Sequence, residues 1–140
     1  MHTRFVYVLV STPQDLFYEQ TLVSVSSLKH YNPTAKVVLV VDDKTDETLL
    51  EKRASLQSLI EEKIVVPFPE EVANKQRSRR LKTNLRNIVK GDFLYLDSDT
   101  IVCDKLDEID SFDFQIGMVW DSNHIFNKDK EKRNFHFCFS

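Results

Sequence analysis

The chain has 140 residues, 19 Lys and Arg against 22 Asp and Glu, a net charge of −3 and a hydrophobic fraction of 41%. It is long enough for one domain, too apolar for a disordered chain and too acidic overall for a general nucleic-acid binder. Its two glycines, Gly91 and Gly117, exclude both a G-x-G-x-x-G dinucleotide loop and a G-x-x-x-x-G-K-[ST] phosphate loop, so a bound phosphate must be met by side chains or a metal.

Arg4–Ser11 contains the apolar run Phe5–Val10, which predicts a strand buried on both faces, as in a parallel sheet. Six residues are too few for a signal-peptide core or a membrane span. Thr12-Pro13-Gln14-Asp15 predicts a helix start, with Thr12 as cap, and the helix runs to about His30 before Asn32-Pro33. Lys36–Val41 predicts a second buried strand ending in Asp42-Asp43, and a helix is expected over about 45–59. Ile64–Val66 predicts a short third strand, Asn74–Val89 a basic helix, Phe93–Leu96 a fourth strand and Ile116–Trp120 a fifth.

This alternation predicts an α/β fold, a mostly parallel sheet with flanking helices and right-handed crossovers. Residues 1–127 are expected to form that domain. Lys128–Arg133 reads as a polar break, and 128–140 as a separate tail whose apolar end, Phe135–Phe139, suits swapping or self-association. Cys103 and Cys138 lie far apart and form no C-x-x-C pair, so a reduced chain without a zinc site is expected.

In an open α/β sheet, ligands bind at the carboxyl ends of the strands. Ser11, Thr12, Asp42, Asp43, Asp97–Asp99 and Asp121–Asn123 all fall there. Thr12 and Asp42 are equally well explained as helix caps. Asp97-Ser98-Asp99 is not, because two carboxylates at i and i+2 on an extended chain point the same way and repel unless they share a cation. Oxygen ligands at that spacing suit Mg²⁺ or Mn²⁺.

The helix before this motif strengthens the reading. Residues 75–90 hold Lys75, Arg77, Arg79, Arg80, Lys82, Arg86 and Lys90 and no acid; without these seven cations the net charge of −3 becomes −10. In a β-α-β crossover the helix begins at the carboxyl edge of the sheet, so Arg77, Arg79, Arg80 and Lys82 are expected near the carboxylates, where the helix dipole already favours an anion. A diphosphate is the expected partner. The acidic run Asp104–Asp113 fits no calcium loop and reads as a solvated turn, and Tyr95 and Trp120 read as core residues.

Phe93-Leu-Tyr-Leu-Asp-Ser-Asp-Thr-Ile-Val102, with Arg80-Leu81 before it, resembles the D-x-D segment of GT-A glycosyltransferases, especially the family-8-like bacterial enzymes that build lipopolysaccharide. The resemblance runs over about Phe5–Asn123. It implies a GT-A fold and a nucleotide-diphosphate sugar donor, UDP-linked by preference. Asp97 and Asp99 would hold Mn²⁺ or Mg²⁺, and Ser11, Thr12 and Asp42 would meet base and ribose. Arg80 and Lys82 would neutralise phosphate, with Ser98 and Asp121 near the donor. It also implies a glycan or lipid-linked acceptor and a location in the cytoplasm or at the inner membrane surface, without a membrane span. Family members are longer, and their second half supplies the acceptor site and a further His ligand that neither His124 nor His136 matches, so the chain is expected to be a donor-binding half with little transfer activity. Two alternatives stand beside this reading. A haloacid-dehalogenase-type phosphohydrolase would use Asp97 as nucleophile, although that motif usually follows the first strand and here Thr100-Ile101 replaces its usual continuation. A non-catalytic remnant would dimerise through its exposed sheet edge or tail.

Overall fold

The computed structural model describes residues 2–113 and 116–117. Residues 1–110 make one compact unit; the second unit, 111–140, is described only at 111–113 and 116–117. The expected tail 128–140, most of the expected fifth strand, Asp121, His124 and His136 lie outside the described residues.

Four parallel strands, β1 (Arg4–Leu9), β2 (Lys36–Asp42), β3 (Glu62–Val66) and β4 (Phe93–Tyr95), form one sheet in the order β3-β2-β1-β4. The chain is therefore α/β, with a parallel sheet and flanking helices. The two central strands are buried on both faces, as their unbroken apolar runs require. Phe5, Tyr7 and Leu9 of β1 point to one face, with Val37, Leu39 and Val41 of β2. Val6, Val8, Val38 and Val40 point to the other, the period-two alternation of strands.

Helix α1 (Phe17–Tyr31) covers the first face through Tyr18, Val25 and Leu28. Helices α3 (Asn74–Thr83) and α4 (Leu85–Ile88) cover the second through Leu81 and Leu85. The direction of the crossovers reverses between β1 and β4. At such a switch point the connecting loops diverge and leave a crevice beyond the strand ends.

Three expected helices differ in extent. The first begins at Phe17 rather than near Thr12, because the Asp15 carboxylate, not Thr12, accepts the free N–H of Phe17 (3.1 Å). The second is a single short helix, α2 (Asp43–Thr48), followed by 3-10 turns at Glu51–Arg53 and Ser55–Ser58. Thr45, Asp46 and Thr48 propagate a helix poorly, and Glu51 adopts a positive φ of 48° that no α-helix accommodates. The basic helix is broken at Asn84, whose N–H is shared between the Arg80 and Leu81 carbonyls. Gly91, at φ 79°, turns the chain from α4 into β4, the one described position where a glycine is needed for its backbone. No helix among the described residues is long and apolar enough to cross a membrane.

Candidate functional site

The carboxyl ends of β1 and β4 lie side by side. Beyond β4 the chain does not stay extended: the Thr100 N–H bonds the Asp97 carbonyl (3.2 Å), so Asp97–Thr100 is a tight turn. The i, i+2 argument from an extended strand therefore does not describe the pair, and the turn is what presents both carboxylates. Both are exposed.

The turn is anchored on two sides. Ser98 donates its hydroxyl to the Val8 carbonyl of β1 (3.2 Å). The Thr100 hydroxyl bonds the Asp97 carbonyl (2.7 Å) and meets Ser24 Oγ on α1 (3.3 Å), which in turn donates to Tyr7 Oη (3.1 Å). Further along, Val102 N–H donates to Ser27 Oγ, and Leu106 N–H to Asn32 Oδ1. Polar residues of α1, with Asn32 at its C-cap, thus pin the segment after β4 along the helix. A rigidly held turn keeps its side chains in a defined place, which a binding site requires.

Asp97 Oδ1 accepts three hydrogen bonds, from Lys82 Nζ (2.9 Å), Tyr95 Oη (3.0 Å) and the Ser98 N–H (3.1 Å). Partial burial raises its pKa, but these donors and the lysine charge outweigh it and hold the carboxyl below its usual range. Burial likewise works against the Lys82 ammonium, and Asp97 and Tyr95 overcome it, raising its pKa. Burial, with the Asp97 charge added to it and Lys82 opposing, pushes the Tyr95 phenol up to about 12. Lys82 Nζ also stands 5.8 Å from the Tyr95 ring centroid. Asp97 Oδ2 and both oxygens of Asp99 accept no hydrogen bond among the described residues.

Beside Asp99 lies an open groove of about 300 Å³. Leu16, Glu19, Gln20 and Val23 form one wall, and the segment Ser98–Ile101 the other, so the groove carries a second carboxylate, Glu19, across from Asp99. Arg79 and Arg80 are exposed on α3, and neither guanidinium has an ion-pair partner among the described residues.

The residues expected to meet base and ribose are placed differently. Asp42 is fully buried, caps α2 by accepting from Thr45 N–H (3.2 Å) and pairs with Arg77 Nη1 (2.8 Å). Its carboxylate is sealed from any ligand in this conformation. Arg77, expected near the Asp97 and Asp99 carboxylates, is itself fully buried: Nη1 also reaches Asp43 Oδ1 (2.8 Å), while Nε and Nη2 donate to the Val72 and Pro69 carbonyls. Ser11 is buried and its hydroxyl lies between Asp15 and Arg53. Thr12, half-buried, gives both its N–H (2.7 Å) and its hydroxyl (3.0 Å) to Asp15 Oδ2. Burial pushes the Asp15 carboxyl up, and the hydroxyl and N–H donors around it bring it below its usual range.

So the fold gathers Asp97, Ser98, Asp99 and Lys82 at one edge, withdraws Asp42 and Arg77 into the interior, and leaves Arg80 on the outer face of α3. Two participants escaped the sequence reading. Tyr95 is a donor to Asp97 rather than plain core, and its i, i+2 relation to Asp97 was the available signal. Arg53 bonds Ser11, its guanidinium carbon 4.7 Å from the centre of the Tyr18 ring, and no local pattern marks it. Compared with protein-family models and with curated proteins, the chain matches none.

Proposed function

We propose that the chain binds a nucleotide-diphosphate sugar, UDP-linked by preference, at the Asp97–Thr100 turn, as the donor-binding part of a glycosyltransferase acting on a glycan or lipid-linked acceptor. One observation carries the reading: two exposed carboxylates stand on an anchored turn at the switch point of a parallel sheet, with a cation on one and a groove beside the other. Such a pair, left in water, is more useful to a cation-bound anion than to the fold.

Mg²⁺ or Mn²⁺ fits the residues present. Asp97 Oδ2 and the Asp99 carboxylate are hard oxygen donors with no other described partner, and these ions commonly take one or two carboxylates and fill the remaining positions with phosphate and water. Among the described residues no group of three or more His, Cys, Asp or Glu could enclose a metal, so the arrangement suits an ion shared with a ligand rather than a closed structural site. When bound, the ion would stabilise the charge that develops on a departing diphosphate. Lys82 and Arg80 add positive charge at the last turn of α3, where the helix dipole stabilises the two cations themselves; contrary to expectation, it contributes nothing toward an anion there. Ser98 holds the turn to β1, and the groove beyond Asp99 has room for a sugar ring.

Differential scanning fluorimetry with UDP, with and without Mn²⁺, tests this. The expected result is a rise in Tm that needs both components and disappears in Asp99→Ala. No rise in the wild type, or an equal rise in Asp99→Ala, would overturn it. Phosphatase activity lost in Asp97→Asn would favour the phosphohydrolase instead.

A further inference from the structure

Asp97 carries an internal cation of its own. Lys82 Nζ sits 2.9 Å from Oδ1, on an oxygen that already receives Tyr95 Oη and the Ser98 N–H. Lys82 is held there by geometry rather than by chance. It is half-buried on the last turn of α3, and Leu81 beside it is locked into the core. Arg79 and Arg80, one turn or less away, have no such partner among the described residues.

A divalent ion and an ammonium cannot both approach one carboxylate without repelling each other. Lys82 therefore stands where it opposes the bare ion. Once a diphosphate arrives, the same ammonium has a better partner, because it meets two negative groups of opposite sign to itself instead of a competing cation. We propose that Lys82 is a positioning residue that occupies Asp97 in the empty site and passes to the diphosphate on binding, so that metal and nucleotide bind as a unit and the bare ion binds poorly. The second half of this inference rests on the nucleotide reading above; the first half, the competition at Asp97, does not.

The two halves separate in one experiment on the full chain. Free Mn²⁺ is followed by electron paramagnetic resonance during titration, with Mn²⁺ alone and with Mn²⁺ plus UDP, for wild type, Lys82→Met, Lys82→Arg and Arg79→Met. Lys82→Met should bind Mn²⁺ alone about threefold more tightly, the scale of one half-exposed ion pair, and bind Mn²⁺ with UDP several-fold more weakly. Lys82→Arg should restore wild-type behaviour in both arms. Arg79→Met removes the same charge without touching Asp97 and should move the Mn²⁺ affinity by less than half as much. A purely structural role for Lys82 would leave the affinity for bare Mn²⁺ unchanged or lower it, and either result overturns the proposal, as does an equal gain in Arg79→Met. If UDP binds to none of the proteins, the nucleotide reading and the transfer of Lys82 both fall, while the Mn²⁺-only arm still decides the competition.

Discussion

Two strands of this sheet end in a pair of acids, and the two ends have opposite fates. At the end of β2, Asp42 is fully buried, caps α2 and shares the Arg77 guanidinium with Asp43. At the end of β4, Asp97 and Asp99 are exposed and, among the described residues, only Asp97 has a cation, the half-exposed Lys82. Acids at a strand end are thus not a site by themselves. What separates the two cases is whether the fold delivers a buried cation to neutralise them. Arg77 does so for β2 with a guanidinium whose remaining donors are satisfied by the Pro69 and Val72 carbonyls. Nothing equivalent reaches Asp99 among the described residues, so a cation from outside is the natural complement.

The sharpest way to break the comparison is at β2. Asp42→Ala leaves Arg77 charged in the interior with only Asp43 to face. It should cost about 3 kcal/mol and lower Tm by about 10 °C, measured by thermal or urea unfolding. A loss under about 1 kcal/mol would mean that Asp42 is not the structural residue described. Asp99→Ala is the mirror case. It should leave stability within about 0.5 kcal/mol of wild type and remove the response to Mn²⁺ with UDP. If Asp99→Ala unfolds the protein as Asp42→Ala does, the contrast between the two ends is wrong.

The Lys82–Asp97 pair lies between these extremes. Being half-exposed and screened, it should be worth about 0.5 kcal/mol, seen in Lys82→Met. Its pH dependence has a definite sign. The Asp97 pKa is lowered in the folded chain, so the stabilisation is present above the ordinary carboxylate range and is lost as pH falls through the folded value. The wild type should therefore lose more stability than Asp97→Asn below about pH 4. The smallest effect is expected at Asp110, which accepts from the backbone N–H of His2 (2.7 Å) and Thr3 (2.9 Å); hydrogen bonding from the Thr3 side chain first, and then these N–H groups, lowers its pKa to about 2. Its contribution should vanish only as pH approaches about 2. Asp110→Asn should flatten that last part of the acid limb in a circular-dichroism titration.

The same comparison shows what the chain discloses about itself. The strands were legible because Phe5–Val10 and Val37–Val41 are unbroken apolar runs, a pattern only a doubly covered parallel strand needs. The carboxyl edge was legible because each run stops at a polar residue. The fate of each edge was not, because it depends on partners distant in sequence: Arg77 lies 35 residues beyond Asp42. A trace of it was present. Arg77, Leu81 and Leu85 are spaced i, i+4, i+8, so the apolar face that α3 and α4 share runs back to an arginine, and a cation on a buried face must have a buried anion. Helix ends were the least legible, since the break at Asn84 goes with a backbone N–H shared between two carbonyls and the stop after Thr48 with the positive φ of Glu51, neither of which hydrophobic spacing records.

The central claim is that the Asp97–Thr100 turn, and not the Asp42-Asp43 end, receives a divalent ion with a nucleotide diphosphate. Anomalous diffraction at the manganese edge, from crystals of the chain grown with Mn²⁺ and UDP, tests it most directly. The account predicts one manganese peak within coordination distance of Asp97 or Asp99 and of the diphosphate oxygens, with Lys82 turned from Asp97 toward the phosphate. A manganese peak at another place, or UDP bound away from this turn, would contradict it.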